Sequence, residues 1–222
     1  MEPKSSRTDM VSDADRDAEA VIEAILLGER PGDGLLGEEG ANSRAEGDRR
    51  WVVDPLDGTT NYLYGFPAWV VSIALEDADG GAVGVVLDPL RDELFSAVRG
   101  EGAHVNDEPI EVSGREHLDR ALIGTGFGYD ADRRAKQAAV LARLLPAVRD
   151  IRRAGAAALD LCMVAAGRLD GYYERGLQRW DWAAGRLIVE EAGGSVIELS
   201  DEPAGLVAAS PAIAGQLAAL TR

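Results

Sequence analysis

Near Ser113 the hydrophobic rhythm of this 222-residue chain changes. Before that point the apolar runs are short and strand-like: Trp51-Val52-Val53, Val70 to Leu75, Val83 to Leu87 and Leu94 to Val98. Asp79-Gly80-Gly81 between two of them is a hairpin signal, so these strands are expected to pair antiparallel. Beyond Ser113 strands and helices alternate. Ala121 to Gly124 reads as a strand and Arg133 to Val148 as an amphipathic helix. Leu159, Cys162, Met163 and Ala166 keep the i, i+3, i+4, i+7 spacing of a buried helix face. A final helix from Trp182 to Ala192 stops at Gly193-Gly194, and Val196 to Leu199 and Leu206 to Ala209 supply two more strands. No repeat and no low-complexity linker divides the two textures. The expectation is one α/β domain over residues 1–222, with an antiparallel-leaning half (about 1–113) and an alternating half (about 114–222) on one shared core.

The chain is polar up to Asp9. From the N-capping candidates Ser12 and Asp13 onward, Ala18, Val21, Ile22, Ile25 and Leu26 keep helical spacing, and Gly28 with Pro31-Gly32-Asp33-Gly34 ends that helix. Leu35 to Glu39 reads as a short strand entering a loop, and the charged stretch Gly40 to Arg50 as the most mobile segment. With 23 Lys and Arg against 39 Asp and Glu, the net charge is −16. That argues against nucleic-acid or anionic-lipid partners, whose phosphates demand a basic surface. The single cysteine, Cys162, rules out an internal disulfide and a Cys-rich zinc site, and its place on a buried helix face makes it core filler. His104 and His117 lack metal-pair spacing and leave a histidine-based triad poorly supplied. No apolar run reaches membrane-spanning length and the N-terminus has no signal core, so a soluble cytoplasmic protein is expected.

Chemistry concentrates in Trp51-Val52-Val53-Asp54-Pro55-Leu56-Asp57-Gly58-Thr59-Thr60-Asn61-Tyr62. An apolar strand delivers Asp54 and Asp57 into a turn fixed by Pro55. Gly58 then permits close backbone approach, and Thr59 and Thr60 open a helix. Oxygen donors without soft ligands suit Mg²⁺. The free N–H groups of Gly58, Thr59 and Thr60 at a helix start would cradle an anion beside the carboxylates. Asp-Pro-x-Asp-Gly alone is an ordinary surface turn. Its company changes the reading: Glu38 and Glu39 stand at a strand end, and Asp181 stands at the start of an apolar helix, where a plain N-cap is the competing role. Trp51, Trp69, Trp180 and Trp182 are expected to pack around the walls of such a site.

The Trp51–Tyr62 segment and Trp180 to Gly194 (WDWAAGRLIVEEAGG) together resemble the paired signature of the inositol monophosphatase family of Mg²⁺-dependent, lithium-sensitive phosphatases. The likeness extends to Lys4-Ser5-Ser6, Val11 to Glu19, Gly37-Glu38-Glu39 and Ala154 to Glu174. It implies a layered αβαβα sandwich, a homodimer, and hydrolysis of a small-molecule phosphate monoester by metal-activated water. Carried onto matching positions, Glu38, Asp54 and the Leu56 carbonyl would hold one Mg²⁺, and Asp54, Asp57 and Asp181 a second. A third, weaker ion would lie near Glu38 and Glu39. Thr59, backed by Asp15, would orient the attacking water. Gly58, Thr59 and Thr60 would take the phosphate, and Gly155, Ala156, Ala157, Glu174 and Asp181 the alcohol half. Divalent ions rather than Lys or Arg would then let a protein of charge −16 bind an anion, with Lys4 the only basic residue of a matching segment expected near the site.

Two departures from the family pattern stand out. Ala156 replaces the Ser or Thr that relatives carry after the glycine matching Gly155, which implies one hydrogen bond fewer to the substrate. The chain also opens close to Lys4-Ser5-Ser6, without the helix that relatives place before it. Thr60 to Pro67 (TNYLYGFP) and Gly124 to Tyr129 (GTGFGY) resemble the branch acting on myo-inositol 1-phosphate, with fructose 1,6-bisphosphate or another sugar phosphate as the alternative. A non-catalytic binding protein on the same scaffold is the reading from a different class.

Overall fold

The computed structural model describes residues 2–3, 10–11 and 13–222; Lys4-Ser5-Ser6 and any approach of Lys4 to the site lie outside them. Strand β1 (Glu2–Pro3) pairs with β2 (Met10–Val11), and helix α1 (Asp13–Glu29) follows. Then come β3 (Gly34–Gly37), β4 (Asn42–Ser43), β5 (Arg50–Asp57), the short helix α2 (Thr59–Tyr64), β6 (Val70–Asp77), β7 (Gly80–Asp88), β8 (Glu93–Val98), β9 (Ala103–Val105) and β10 (Glu108–Ile110). The second half holds β11 (Leu122–Thr125), α3 (Ala131–Leu144), β12 (Asp150–Arg152), α4 (Ala157–Ala165), β13 (Gly171–Arg175), α5 (Arg179–Glu191), β14 (Ser195–Leu199), β15 (Gly205–Ala209) and α6 (Pro211–Leu220).

Two sheets organise these elements. The larger has eight strands in the order β10-β9-β8-β7-β6-β5-β3-β4, antiparallel throughout except where β3 runs parallel to β5. The smaller has the order β12-β11-β13-β15-β14, with β11 parallel to both neighbours. Helices α4 and α5 lie between the sheets, touching β5 to β7 on one side and β15 on the other. Helix α1 covers β3 and β5 from outside, and α6, with α3 beside it, covers the outer face of the smaller sheet. The layers therefore run α, β, α, β, α.

Burial explains the middle layer. Helix α4 is enclosed on almost every side, so its apolar residues surround the helix instead of forming a stripe. Helix α5 reaches the large sheet through glycine. A Cβ at Gly84 would stand 2.8 Å from the Ala184 carbonyl, and one at Gly185 would stand 2.7 Å from Leu161 Cβ.

Several elements differ from the expectation. In α1 the deeply buried residues are Asp15 and Glu19, while Val21 and Ile25 are 59% and 60% exposed, because the helix turns its acids toward the loop after β3. Helix α3 ends at Leu144, and Pro146 turns the remainder into a 3-10 turn over Leu145–Ala147. Helix α5 begins three residues early and is not the last, since α6 follows with Ser210 before it and Pro211 at its first turn. Strands β9, β10, β12 and β13 carry no strong sequence period and went unread. Nor is Gly40 to Arg50 free coil. Strand β4 pairs with β3, and Glu46 N–H donates to the Gly32 carbonyl.

Candidate active site

In a strand of period two, Asp54 and Asp57 would face opposite sides of the sheet. They do not, because β5 carries a register shift between them. Asp54 pairs with Ser72 but Asp57 with Val70, so one extra residue bulges at Pro55-Leu56, where the missing proline N–H breaks no ladder bond. The bulge turns both carboxylates into one cavity of about 680 Å³. Gly58 follows at φ 96°, and its αL backbone starts α2 against the Ala68 carbonyl with no room for a side chain.

Glu38, Asp54, Leu56, Asp57, Gly58, Thr59, Gly155, Ala157, Glu174 and Asp181 all line this cavity. Asp15 stands behind it. Fully buried, it accepts a 2.9 Å hydrogen bond from Thr59 Oγ1, whose hydroxyl also lies 3.1 Å from the Leu56 carbonyl. Asp54 Oδ1 accepts from Leu56 N–H at 3.0 Å, and Asp57 Oδ2 from Ala158 N–H at 2.6 Å at the start of α4. Asp181 lies in the first turn of α5, not at its N-cap. Gln178 is the N-cap, and its N–H donates to Asp181 Oδ2 at 2.6 Å.

Besides Asp15, three expected residues are not among the lining. The Glu39 N–H donates to Glu19 Oε2 behind the loop. Thr60 stands at the rim, its Oγ1 3.4 Å from Tyr129 Oη. Ala156 is buried at the N-cap of α4, so its lost hydroxyl is first a lost cap. Of the tryptophans only Trp180 lines the cavity. Trp51 donates to Asp33, Trp69 meets Tyr62 edge-on, and Trp182 lies under Arg179 and Arg186.

Sequence reading missed other members. Arg133 and Arg153 line the cavity with Phe127 and Tyr129, so basic residues do reach it. Tyr172 Oη donates to Glu174 at 2.5 Å, and Asn61 Nδ2 ties the Ala68 and Ala154 carbonyls together beneath the floor. Buried Asp160 lies beside Gly124 and within the electrostatic reach of Glu174 and Asp57. The i, i+2 spacing of Tyr172 and Glu174 was the one available signal.

Burial leaves these acids short of compensation. Asp54 is held well above the ordinary aspartate range, first by desolvation and then by the charges of Glu38, Asp57 and Asp181. Desolvation likewise lifts Asp57 to about 7, although the Ala158 and Ala157 N–H groups pull the other way. Asp181 is raised by burial and by Asp57, and Glu174 by burial against the opposing pull of Tyr172 and Arg153. Buried carboxylates that repel one another, with every candidate donor an oxygen, fit hard divalent cations. Among the described residues, no three acidic, histidine or cysteine side chains already form a cage for one ion. Bound ions would draw the carboxylates inward or keep water in part of their shell. Cys162 is fully buried, with its thiol pushed up, and is no nucleophile.

The model of the inositol monophosphatase family matches residues 1–222. Inositol-1-monophosphatase SuhB of Mycobacterium tuberculosis is 49% identical over 99% of this chain and 80% of its own length. The Nus factor SuhB of Pasteurella multocida is 43% identical over 96% of this chain and 82% of its own. The crystal structure of the extragenic suppressor protein suhB from Bartonella henselae superposes with a TM-score of 0.92 at 42% identity, covering 98% of this chain and 86% of that one.

Proposed function

The chain belongs to the inositol monophosphatase family, and from that premise we propose that it hydrolyses a phosphate monoester, myo-inositol 1-phosphate first, with Mg²⁺ as its metal. The observation that carries this reading is the convergence of Glu38, Asp54, Asp57 and Asp181 on one cavity beside Thr59. Glu38, Asp54, the Leu56 carbonyl, Asp57 and Asp181 would hold the ions, with Glu39 at the edge of a third position. Bound divalent ions neutralise the ester's charge and bring the pKa of water toward neutrality.

The chain's own residues do the rest. Thr59 Oγ1 donates its proton to Asp15, which leaves its lone pairs to accept from the attacking water and fix its direction. Gly58 and Thr59 offer N–H groups to the phosphoryl oxygens. Glu174, whose orientation is set by Tyr172, accepts from a hydroxyl of the alcohol half. A homodimer, lithium inhibition and a cytoplasmic location belong to the same reading and rest on the family alone.

Purified protein with Mg²⁺ is expected to release phosphate from myo-inositol 1-phosphate and to stop when EDTA is added. Absence of turnover in a protein that binds metal would favour a non-catalytic binding role, the reading to which the name of the Pasteurella relative lends weight.

A further inference from the structure

Thr59 and Thr60 of α2 stand at the cavity and its rim, whereas the next side chain, Asn61, reaches beneath the floor. It is 8% exposed. Its Nδ2 donates to the Ala68 carbonyl at 2.6 Å, to the Ala154 carbonyl at 2.9 Å and to the Gly155 carbonyl at 3.3 Å. Among the described residues, no other hydrogen bond joins α2 to the loop before α4. One uncharged amide thus holds together backbone segments as far as 94 residues apart in the chain.

These segments carry the two ends of the cavity. On one side, the Ala68 carbonyl is the atom against which Gly58 packs, since a Cβ there would stand 2.8 Å from it. Gly58 and Thr59 are the phosphate end. On the other side, Gly155 stands at φ 93°, where a side chain would overlap Arg153 Nη1 and meet Asn61 Nδ2 at 3.3 Å. It leads through Ala156 into α4, whose Ala157 lines the cavity at the alcohol end. A second tie across the same gap, from Ala158 N–H to Asp57 Oδ2, uses a carboxylate that the ions also claim. Asn61 grips main-chain carbonyls alone and so spends no group that metal or substrate needs. Spacing of this kind matters, because a misplacement of about 1 Å between reacting ends can cost about 100-fold.

We propose that Asn61 is a positioning residue that sets the spacing between the phosphate end and the alcohol end, and through that spacing decides which alcohol a bound phosphoryl group can carry. It acts through Gly58 on one side and Gly155 on the other, without touching substrate or ions. The proposal rests on the phosphatase reading above and deepens it.

Inorganic phosphate occupies one end and myo-inositol 1-phosphate both, so the ratio of their affinities reads the spacing. A purely structural residue would move both affinities together. They are to be measured calorimetrically in Ca²⁺, a hard ion that keeps oxygen ligation, for the wild type, Asn61→Leu and Asn61→Ser. The ester should bind the wild type about ten-fold or more tightly than phosphate. Asn61→Leu has no donor for the three carbonyls and should bring the ratio to within about three-fold, while phosphate affinity changes by less than about three-fold. Asn61→Ser keeps one donor on a shorter arm and should fall between, and it decides the question if the leucine variant does not fold. A wild-type ratio near one, a ratio unchanged in the folded variants, or an equal loss of both affinities overturns the positioning role. Binding is read whether or not turnover occurs. An ester advantage that depends on Asn61, without phosphate release in Mg²⁺, would therefore sink the phosphatase reading and keep the positioning role. Phosphate release with a ratio indifferent to Asn61 would do the reverse.

Discussion

Glu19 shows how much a residue outside the cavity can matter. From α1 its carboxylate accepts Glu39 N–H at 2.8 Å and Ala41 N–H at 2.9 Å, and Gly37 leaves room for it because any side chain there would overlap its oxygens. The loop bearing Glu38 is pinned by that one buried acid. Glu19→Ala is expected to weaken Mg²⁺ binding by about 10- to 100-fold, the usual cost of losing an outer partner of a metal ligand. Glu19→Gln should restore part of it, since an amide keeps one acceptor oxygen. Titration calorimetry decides the point, and metal affinity unchanged in the alanine variant would make Glu19 purely structural. Asp54 lies deeper in the mechanism, because both proposed ions share it. Asp54→Asn should lower kcat by at least about 100-fold, roughly 2.7 kcal/mol of transition-state stabilisation, as read by phosphate release at saturating Mg²⁺.

At the scale of elements, the site is made by strand and helix ends. The bulge in β5 puts Asp54 and Asp57 on one side, the start of α4 supplies Ala158 N–H to Asp57, and the first turn of α5 presents Asp181. Helix α4 enters this arrangement without a side-chain cap, because Ala156 occupies the N-cap with extended backbone at φ −140°. Ala156→Ser should stabilise the fold by about 0.5–1 kcal/mol, measured by urea denaturation, since a serine hydroxyl can accept from a free N–H of the first turn. A changed KM with no gain in stability would instead assign that hydroxyl to the substrate.

For the whole molecule, the buried acids make metal-free stability depend on pH. Asp57 titrates near 7 in the fold against 3.8 ordinarily, so the folded protein keeps a proton that the unfolded chain has already lost. This contribution is complete below about pH 4 and drains away as pH rises through 7. Asp54, Asp160 and Asp181, also raised by burial, act in the same direction. Metal-free protein should therefore melt lower at pH 8 than at pH 5, by roughly 5 °C or more. Mg²⁺ should raise the melting temperature more at pH 8, where the carboxylates are ionised. Equal Mg²⁺ gains at the two pH values, by differential scanning calorimetry, would contradict this account. Across the fold, no helix among the described residues is long and apolar enough to cross a membrane.

What the sequence determined by itself was local. Alternation and the hairpin signal marked β6 and β7, glycine and proline marked the element ends, and the run from Trp51 to Tyr62 marked a strand, two acids and a helix start, because these depend on steric preferences a few residues long. Tertiary structure decided what distant segments do to one another. Asp15 and Glu19 are buried because α1 turns its acids toward the loops they hold, against its own apolar spacing. Arg133 and Arg153 line the same cavity as the acids because the parallel strands β11 and β12 end side by side, where the first turn of α3 and the segment after β12 follow. Burial of a charge is repaid only by partners far along the chain, and no local pattern encodes where those partners will stand.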